Sequence, residues 1–293
     1  MTRDEFAAWA ASGTILLDGG TGSYLYNRGM MRGVCTELWI MEHPEIIGEL
    51  QRAYAAAGSQ IIYAPTFSAN RVMLEGFGLQ DRQEEIIKRN VAMTKEHLAG
   101  TGVMVAGDMT TTGQMISEDG PMTYERLLDI YKEQITYLCE AGVDLLVAET
   151  MLNVDETMAL VDAANSVCPD LAIMCTLSLN ADGSAIYGGS GVEAVETLQA
   201  MGASAVGLNC SVGPDQLEAV IKSMKKVAEV PVIAKPNAGM PFITPRGEAV
   251  YSMKAEDFAD SVAHLVDCGA GIVGGCCGTT PEYIAALAKK LGR

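Results

Sequence analysis

Apolar residues in this chain fall into short continuous runs, separated by longer stretches in which they recur every three or four positions. The runs cover 14–18, 59–65, 103–108, 144–149, 171–177, 204–210, 230–235 and 271–276. They do not alternate with polar residues, so they predict strands of a covered parallel sheet. The stretches between them predict helices over 43–57, 82–98, 123–141, 154–167, 191–201, 214–228, 255–268 and 281–291. A further amphipathic stretch, 4–12, predicts a short helix ahead of the first strand. Eight strand–helix units describe a (β/α)8 TIM barrel, with 1–293 as one domain. A doubly wound open sheet usually has fewer strands and a genuine phosphate loop. The loop Gly19-Gly-Thr-Gly22 does not supply one, because Leu25 stands where G-x-G-x-x-G needs its last glycine.

Composition narrows the partners. Apolar residues make up 49% of the chain, ample for a large core, and 31 glycines suit closely packed α/β layers. With 37 acidic residues against 20 basic ones the net charge is −17, which argues against nucleic acid or an anionic membrane as partner. No apolar run approaches the ~20 residues of a membrane helix. The first residues carry acidic charge and no signal-peptide core. A cytoplasmic setting is expected, with the eight cysteines reduced. None forms C-x-x-C.

In barrels of this kind the active site gathers at the C-terminal strand ends. Here those ends carry Asp18, Asp108, Glu149, Cys210, the Lys235-Pro-Asn237 turn and Cys276-Cys277. Alone, the Cys-Cys pair admits a strained vicinal disulfide, two buried core thiols or a metal site. Cys210 ends strand six as Cys276 ends strand eight, so three thiols aim at one mouth. Three thiolates with one open position suit zinc. Such an electron-rich centre activates water poorly but holds a substrate thiol as thiolate, which points to sulfur alkylation. Asp18 or Glu149 can meet the ammonium of a small amino thiol, and the amides of 19–22 its carboxylate. Asp108 reads equally as a helix-capping residue. Lys235 would also serve a Schiff-base lyase or aldolase, and the cysteines would also fit a non-enzymatic zinc or redox barrel. Thr280 and Pro281 mark the start of the last helix. Cys35, Cys139, Cys168, Cys175 and Cys268 read as structural, His43, His97 and His264 as surface residues, and the 17 methionines as core filler.

Four stretches carry a family resemblance. Leu17-Asp-Gly-Gly-Thr-Gly-Ser-Tyr-Leu25, Gly207-Leu-Asn-Cys210, Lys235-Pro-Asn-Ala-Gly-Met-Pro241 and Gly274-Gly-Cys-Cys-Gly-Thr-Thr-Pro281 resemble the homocysteine S-methyltransferase family. They are most similar to its cobalamin-linked methionine-synthase branch. The resemblance covers nearly the whole chain. It implies zinc on Cys210, Cys276 and Cys277, which are also the catalytic set. It implies homocysteine held by Asp18, Gly19, Gly20, Glu149 and Asn209, with the amino group near Asp18 and Glu149, and methionine as product. Strand-end connections that read as mostly short, and no appended corrinoid or pterin region, lead us to expect a methylcorrinoid on a separate protein as donor. S-methylmethionine or betaine is the alternative. Two stretches depart from the family pattern. Ala64-Pro-Thr-Phe67 stands where Thr-Asn-Thr-Phe is frequent, and Gly107-Asp-Met-Thr-Thr-Thr112 where a Gly-Ser-Ile-Gly-like turn is common. Both lie at the mouth, where acceptor and donor meet.

Overall fold

A computed structural model describes residues 1–244 and 249–293. Its strands are β1 (Ile15–Leu16), β2 (Ile61–Ala64), β3 (Met104–Met109), β4 (Leu145–Met151), β5 (Ile173–Leu177), β6 (Ala205–Cys210), β7 (Val232–Pro236), β8 (Phe242–Ile243), β9 (Ala249–Val250) and β10 (Ala270–Val273). Eight of them form one parallel sheet in the order β1-β10-β7-β6-β5-β4-β3-β2, while β8 and β9 pair as a separate small hairpin. A single parallel bridge, Leu17 to Ile61, draws β1 towards β2, so the sheet is nearly closed into the expected barrel.

Both faces of every barrel strand are covered, which is why the strands read as unbroken apolar runs. Inward residues such as Leu17, Ile61, Leu145, Met174, Ile233 and Ile272 fill the barrel. Outward neighbours such as Leu16, Ile62, Leu146, Val206 and Val273 pack beneath the helices. The N-terminal helix α1 (Arg3–Ala10) inserts Phe6 among the inward residues and stoppers the bottom of the barrel. It is tied there by a capping box between Thr2 and Glu5.

Two small helices, α2 (Gly22–Asn27) and α3 (Thr36–Glu42), follow β1, and α5 (Arg71–Glu75) follows β2. The barrel's outer ring is α4 (Pro44–Ala56), α6 (Gln83–His97), α7 (Tyr124–Glu140), α8 (Val154–Val167), α9 (Gly191–Ala200), α10 (Glu218–Val227), α11 (Ala255–Asp267) and α12 (Pro281–Lys290). Side chains of Thr123, Asn153 and Ser190 cap α7, α8 and α9. Thr280 occupies the N-cap position of α12, with Pro281 in the first turn, but its side chain makes no capping bond.

Two expectations change. The last strand stops at Val273, so Cys276 and Cys277 lie in the turn beyond it and not at its end. That turn stays in register through backbone bonds from Gly274 to Ala234, Gly275 to Asp18 and Cys276 to Pro236. The strand-to-helix connections are also longer than the sequence suggested, running over 17–43, 65–82, 110–123, 178–190 and 237–254. Connections at the opposite end, such as 57–60, 141–144 and 201–204, are short. Extra chain is therefore concentrated around the mouth. The three histidines lie at the surface as expected, His264 exposed and His43 and His97 half-buried against Trp39 and Gln51. Among the described residues no helix is long and apolar enough to cross a membrane.

Candidate active site

Cys210 closes β6, and Cys276 and Cys277 face it from the turn after β10. Their three Sγ atoms lie within 4.8 Å of one another, with Cys210 and Cys277 3.9 Å apart. All eight cysteines are free thiols, so the vicinal disulfide is not formed. A tetrahedral ion with sulfur ligands at about 2.3 Å requires sulfurs about 3.8 Å apart. The triad fits such an ion with little adjustment.

Glycines allow this crowding. A Cβ on Gly275 would lie 2.4 Å from Thr279 Oγ1, and one on Gly20 2.6 Å from the Cys276 carbonyl oxygen. Thr279 donates to that carbonyl at 2.7 Å and accepts from the Gly20 amide at 3.0 Å. The Gly20 amide is thus committed to the cysteine turn and is not free for a carboxylate, as the loop had been expected to be. Gly19 packs against the Tyr54 hydroxyl on the same buried loop.

The backbone around the thiols is strained. Thr150, Cys210 and Ser211 have φ of 57°, 60° and 52°, left-handed values that cost a non-glycine residue energy and cluster at functional sites. Asn209 ties them together. Its Oδ1 accepts from the Thr150 amide at 2.8 Å, and its Nδ2 donates to Thr150 Oγ1 at 2.7 Å and to Cys276 Sγ at 3.7 Å. Asn209 is fully buried and supports the thiol triad from below.

Packed together, the thiols hold their protons. For Cys210 the bond with Cys276 lowers the pKa, but the bond with Cys277 and burial raise it to about 11. For Cys276 the bond with Cys210 and burial push it up. Cys277 rises to about 12, because Cys276 and burial outweigh its bonds with Cys210 and Tyr251. A divalent cation at their centre would replace those protons. Tyr251, which the sequence did not single out, lays its ring against Gly278, the residue after Cys277. A Cβ on Gly278 would come 2.3 Å from that ring, and its φ of +81° also favours glycine.

A second group lies inside the barrel mouth. Lys235 on β7 is buried, with Nζ 3.1 Å from Glu149 Oε1 and 3.4 Å from Asp18 Oδ1, and 4.9 Å from the centre of the Tyr63 ring. Asp18 Oδ2 accepts from the Tyr63 amide at 2.9 Å. Burial lifts the Asp18 carboxyl to about 6, against the pull of Lys235. Burial opposes the charge on Lys235, but Glu149 and Asp18 outweigh it and hold the pKa well above the ordinary lysine value. A fixed ammonium is a poor Schiff-base nucleophile, which disfavours the lyase reading. Asp108 caps no helix. It points inward and is buried, and burial followed by the charge of Glu149 raises its pKa well above the usual carboxylate range. Asp108 Oδ1 and Thr110 Oγ1 have no hydrogen-bond partner among the described residues.

The remaining cysteines lie outside the thiol triad. Cys139 and Cys168 are half-buried free thiols, Cys35 bonds Glu37 at 3.6 Å, and Cys175 is buried. Cys268 lies 3.7 Å from His264 on the outer surface.

The triad, the Gly-lined turn and the sheet order agree with a family-wide comparison, in which residues 15–291 match the model for homocysteine S-methyltransferase. The chain belongs to this family. It is 25% identical over 299 residues to methionine synthase of Mycobacterium leprae (strain TN), covering 94% of this chain and 24% of that protein. Methionine synthase of Mycobacterium tuberculosis (strain ATCC 25618 / H37Rv) is 25% identical over 287 residues, covering 92% and 24%. The chain thus spans about a quarter of the length of these curated relatives. Among solved structures, the oxidized form of the homocysteine methyltransferase MmuM from Escherichia coli superposes with a TM-score of 0.78 at 25% identity, covering 94% of this chain and 96% of that one. Its metallated form gives 0.79 at 24% identity, covering 97% and 98%. Within this family member, Tyr251, Thr150 and the pairing of Lys235 are the site features that sequence reading missed. A lone tyrosine in a long connection carries no motif, and backbone strain leaves no composition signal.

Proposed function

We propose that this protein is a zinc-dependent methyltransferase that methylates the thiol of homocysteine to give methionine, in the cytoplasm. The observation that carries the reading is the convergence of Cys210, Cys276 and Cys277, with a sulfur spacing suited to a tetrahedral ion. When bound, the zinc ion supplies ionisation of the acceptor thiol, since coordination deprotonates a thiol outright. The chain's own residues do the rest. Asn209 orients Cys276, as partners behind metal ligands do, and the Tyr251 ring packs on the turn at Gly278. Glu149 is the more exposed of the paired carboxylates, with its side chain 11% accessible against 3% for Asp18. It is the one of the pair that borders the open mouth. The acceptor sulfur uses its electron pair to form the new S–C bond, its proton goes to solvent, and the pair of the broken bond stays with the donor.

The donor we favour is a methylcorrinoid on a separate protein. Every large apolar side chain left exposed among the described residues lies in a strand-to-helix connection at the mouth, from Tyr26 and Met31 to Phe242 and Val250. Such a rim suits a docked macromolecule better than a small soluble donor. The competing donor is a sulfonium such as S-methylmethionine, drawn by negative charge at the mouth.

Metal analysis with a donor panel tests both parts. We expect about one zinc per chain. Serine at Cys210, Cys276 and Cys277 together should abolish metal binding and activity, whereas Cys139→Ser should retain both. Full zinc occupancy in the triple variant would refute the site. Homocysteine is then supplied with free methylcobalamin, a methylated corrinoid protein, S-methylmethionine or betaine in turn. Turnover with S-methylmethionine or betaine, and none with either corrinoid, would overturn the donor assignment.

A further inference from the structure

The proposed reaction leaves the ammonium of Lys235 without a task, although its surroundings are fully specified. Glu149 lies on one side at 3.1 Å, Asp18 on another at 3.4 Å, and the Tyr63 ring on a third. Neither carboxylate contact has hydrogen-bond geometry, and Asp18 Oδ1 and Glu149 Oε1 have no hydrogen-bond partner among the described residues, so the ammonium is held there by charge. These two carboxylates are the pair the family resemblance gives to the amino group of homocysteine. In this chain that place holds an ammonium already.

The arrangement is a fixture. Lys235 is an inward residue of β7, locked between the register pairs of Ala234 with Leu208 and Pro236 with Cys210. Asp18 spends its other oxygen on the Tyr63 amide. Moving Lys235 aside would leave two buried carboxylates uncompensated, which is strongly unfavourable. A substrate ammonium would therefore add a second cation beside the first, next to carboxylates whose charge Lys235 already balances. Like charges so close repel whatever the local dielectric.

We infer that Lys235 is a specificity-determining residue, a built-in substitute for the acceptor's ammonium, and that the acceptor class is small aliphatic thiol acids with or without an α-amino group. The inference rests on thiol methylation at this site and deepens it. Lys235 acts through charge and position and takes no part in bond making. Its charged state agrees with the strong upward push that Glu149 and Asp18 exert on it.

The test is calorimetric titration of the zinc-loaded protein with homocysteine and with its des-amino counterpart, 4-mercaptobutanoate. No methyl donor is present, so binding is read apart from turnover. Wild type should bind the two within about threefold of each other. Lys235→Met frees the carboxylate pair and should favour homocysteine by at least about tenfold, the scale of one charge-assisted hydrogen bond. Because that variant leaves two carboxylates unpaired and could fold poorly, the double variant Asp18→Asn/Lys235→Met is titrated alongside it. It keeps Glu149 alone and should also turn towards homocysteine. A wild type that binds homocysteine tenfold or more tighter than 4-mercaptobutanoate overturns the inference. So does a ratio unchanged in folded variants of either kind. Binding of neither thiol by zinc-loaded wild type overturns instead the acceptor reading beneath it.

Discussion

Asp18 shows how far a strand-end carboxylate can travel from its first reading. It stands where the sequence placed it, but it faces Lys235 and the Tyr63 amide. Its pKa, lifted by burial from 3.8 to about 6, means that the folded state binds its proton more tightly than the unfolded chain does. The stability this contributes is complete below about pH 4 and is lost as pH rises through about 6. Slightly over two pKa units at 1.36 kcal/mol each put the loss at about 3 kcal/mol. Asp18→Asn removes this dependence. In metal-free protein, the melting temperature of the variant relative to wild type should climb by several degrees between pH 4 and 7. A flat difference would mean that Asp18 ionises as an ordinary carboxyl. At this scale the three cysteines were legible because each sits at or just beyond a recognisable apolar run. Asn209 was legible only through its motif, since its bonds to Thr150 and Cys276 depend on a left-handed turn that no local pattern announces. Asp108 was ambiguous for a simpler reason. An acid after a strand caps a helix or faces inward depending on its side of the pleat, and β3 turns it inward.

The barrel strands and ring helices were read to within a few residues, because a doubly covered strand and an amphipathic helix have different periods, but α2, α3, α5 and the β8–β9 pair were not. What the periods could not give was how the connections are held. The stretch after β3, where this chain departs from the family's usual turn, is fixed by Glu156 in α8. Its carboxylate accepts from Thr111 Oγ1 at 2.5 Å, the Thr112 amide at 2.7 Å, Thr112 Oγ1 at 2.8 Å and the Tyr131 hydroxyl at 2.8 Å. From sequence, an acid in the first turn of a helix only complements the helix dipole. Here it is buried and organises a wall of the mouth. Glu156→Gln keeps the shape but turns an amide donor towards groups that are donors themselves. The variant should lose about 1.5–3 kcal/mol, the worth of a hydrogen bond to a charged group, while zinc uptake stays unchanged. A urea midpoint within about 0.5 kcal/mol of wild type, the range of ordinary surface substitutions, would show the loop to be held by something else.

Across the whole molecule, short connections at one end and long ones at the other set a quiet floor against a busy rim. The barrel was predictable from eight apolar runs, whereas the rim was not, because polar and apolar residues in its long connections follow no period. Phe242 and Ile243, 67% and 59% exposed, lie on the β8–β9 hairpin in the connection that also carries Tyr251. Apolar side chains of this size contribute about 1.5–3 kcal/mol each when fully buried, so at their present exposure docking could gain roughly 1–2 kcal/mol from each. If a corrinoid protein docks over the mouth, Phe242→Ser/Ile243→Ser should raise the KM for that protein by at least about tenfold. Being exposed, the pair should fold normally when changed. Homocysteine binding should stay as in wild type, because the thiol triad lies below the rim. The decisive comparison is with free methylcobalamin, which has no protein surface to lose. Its turnover should stay within about twofold of wild type, well under the 1.4 kcal/mol that a tenfold change represents. Equal losses with free and protein-bound methylcorrinoid would mean that the hairpin shapes the reaction space itself, and the apolar rim would need another explanation.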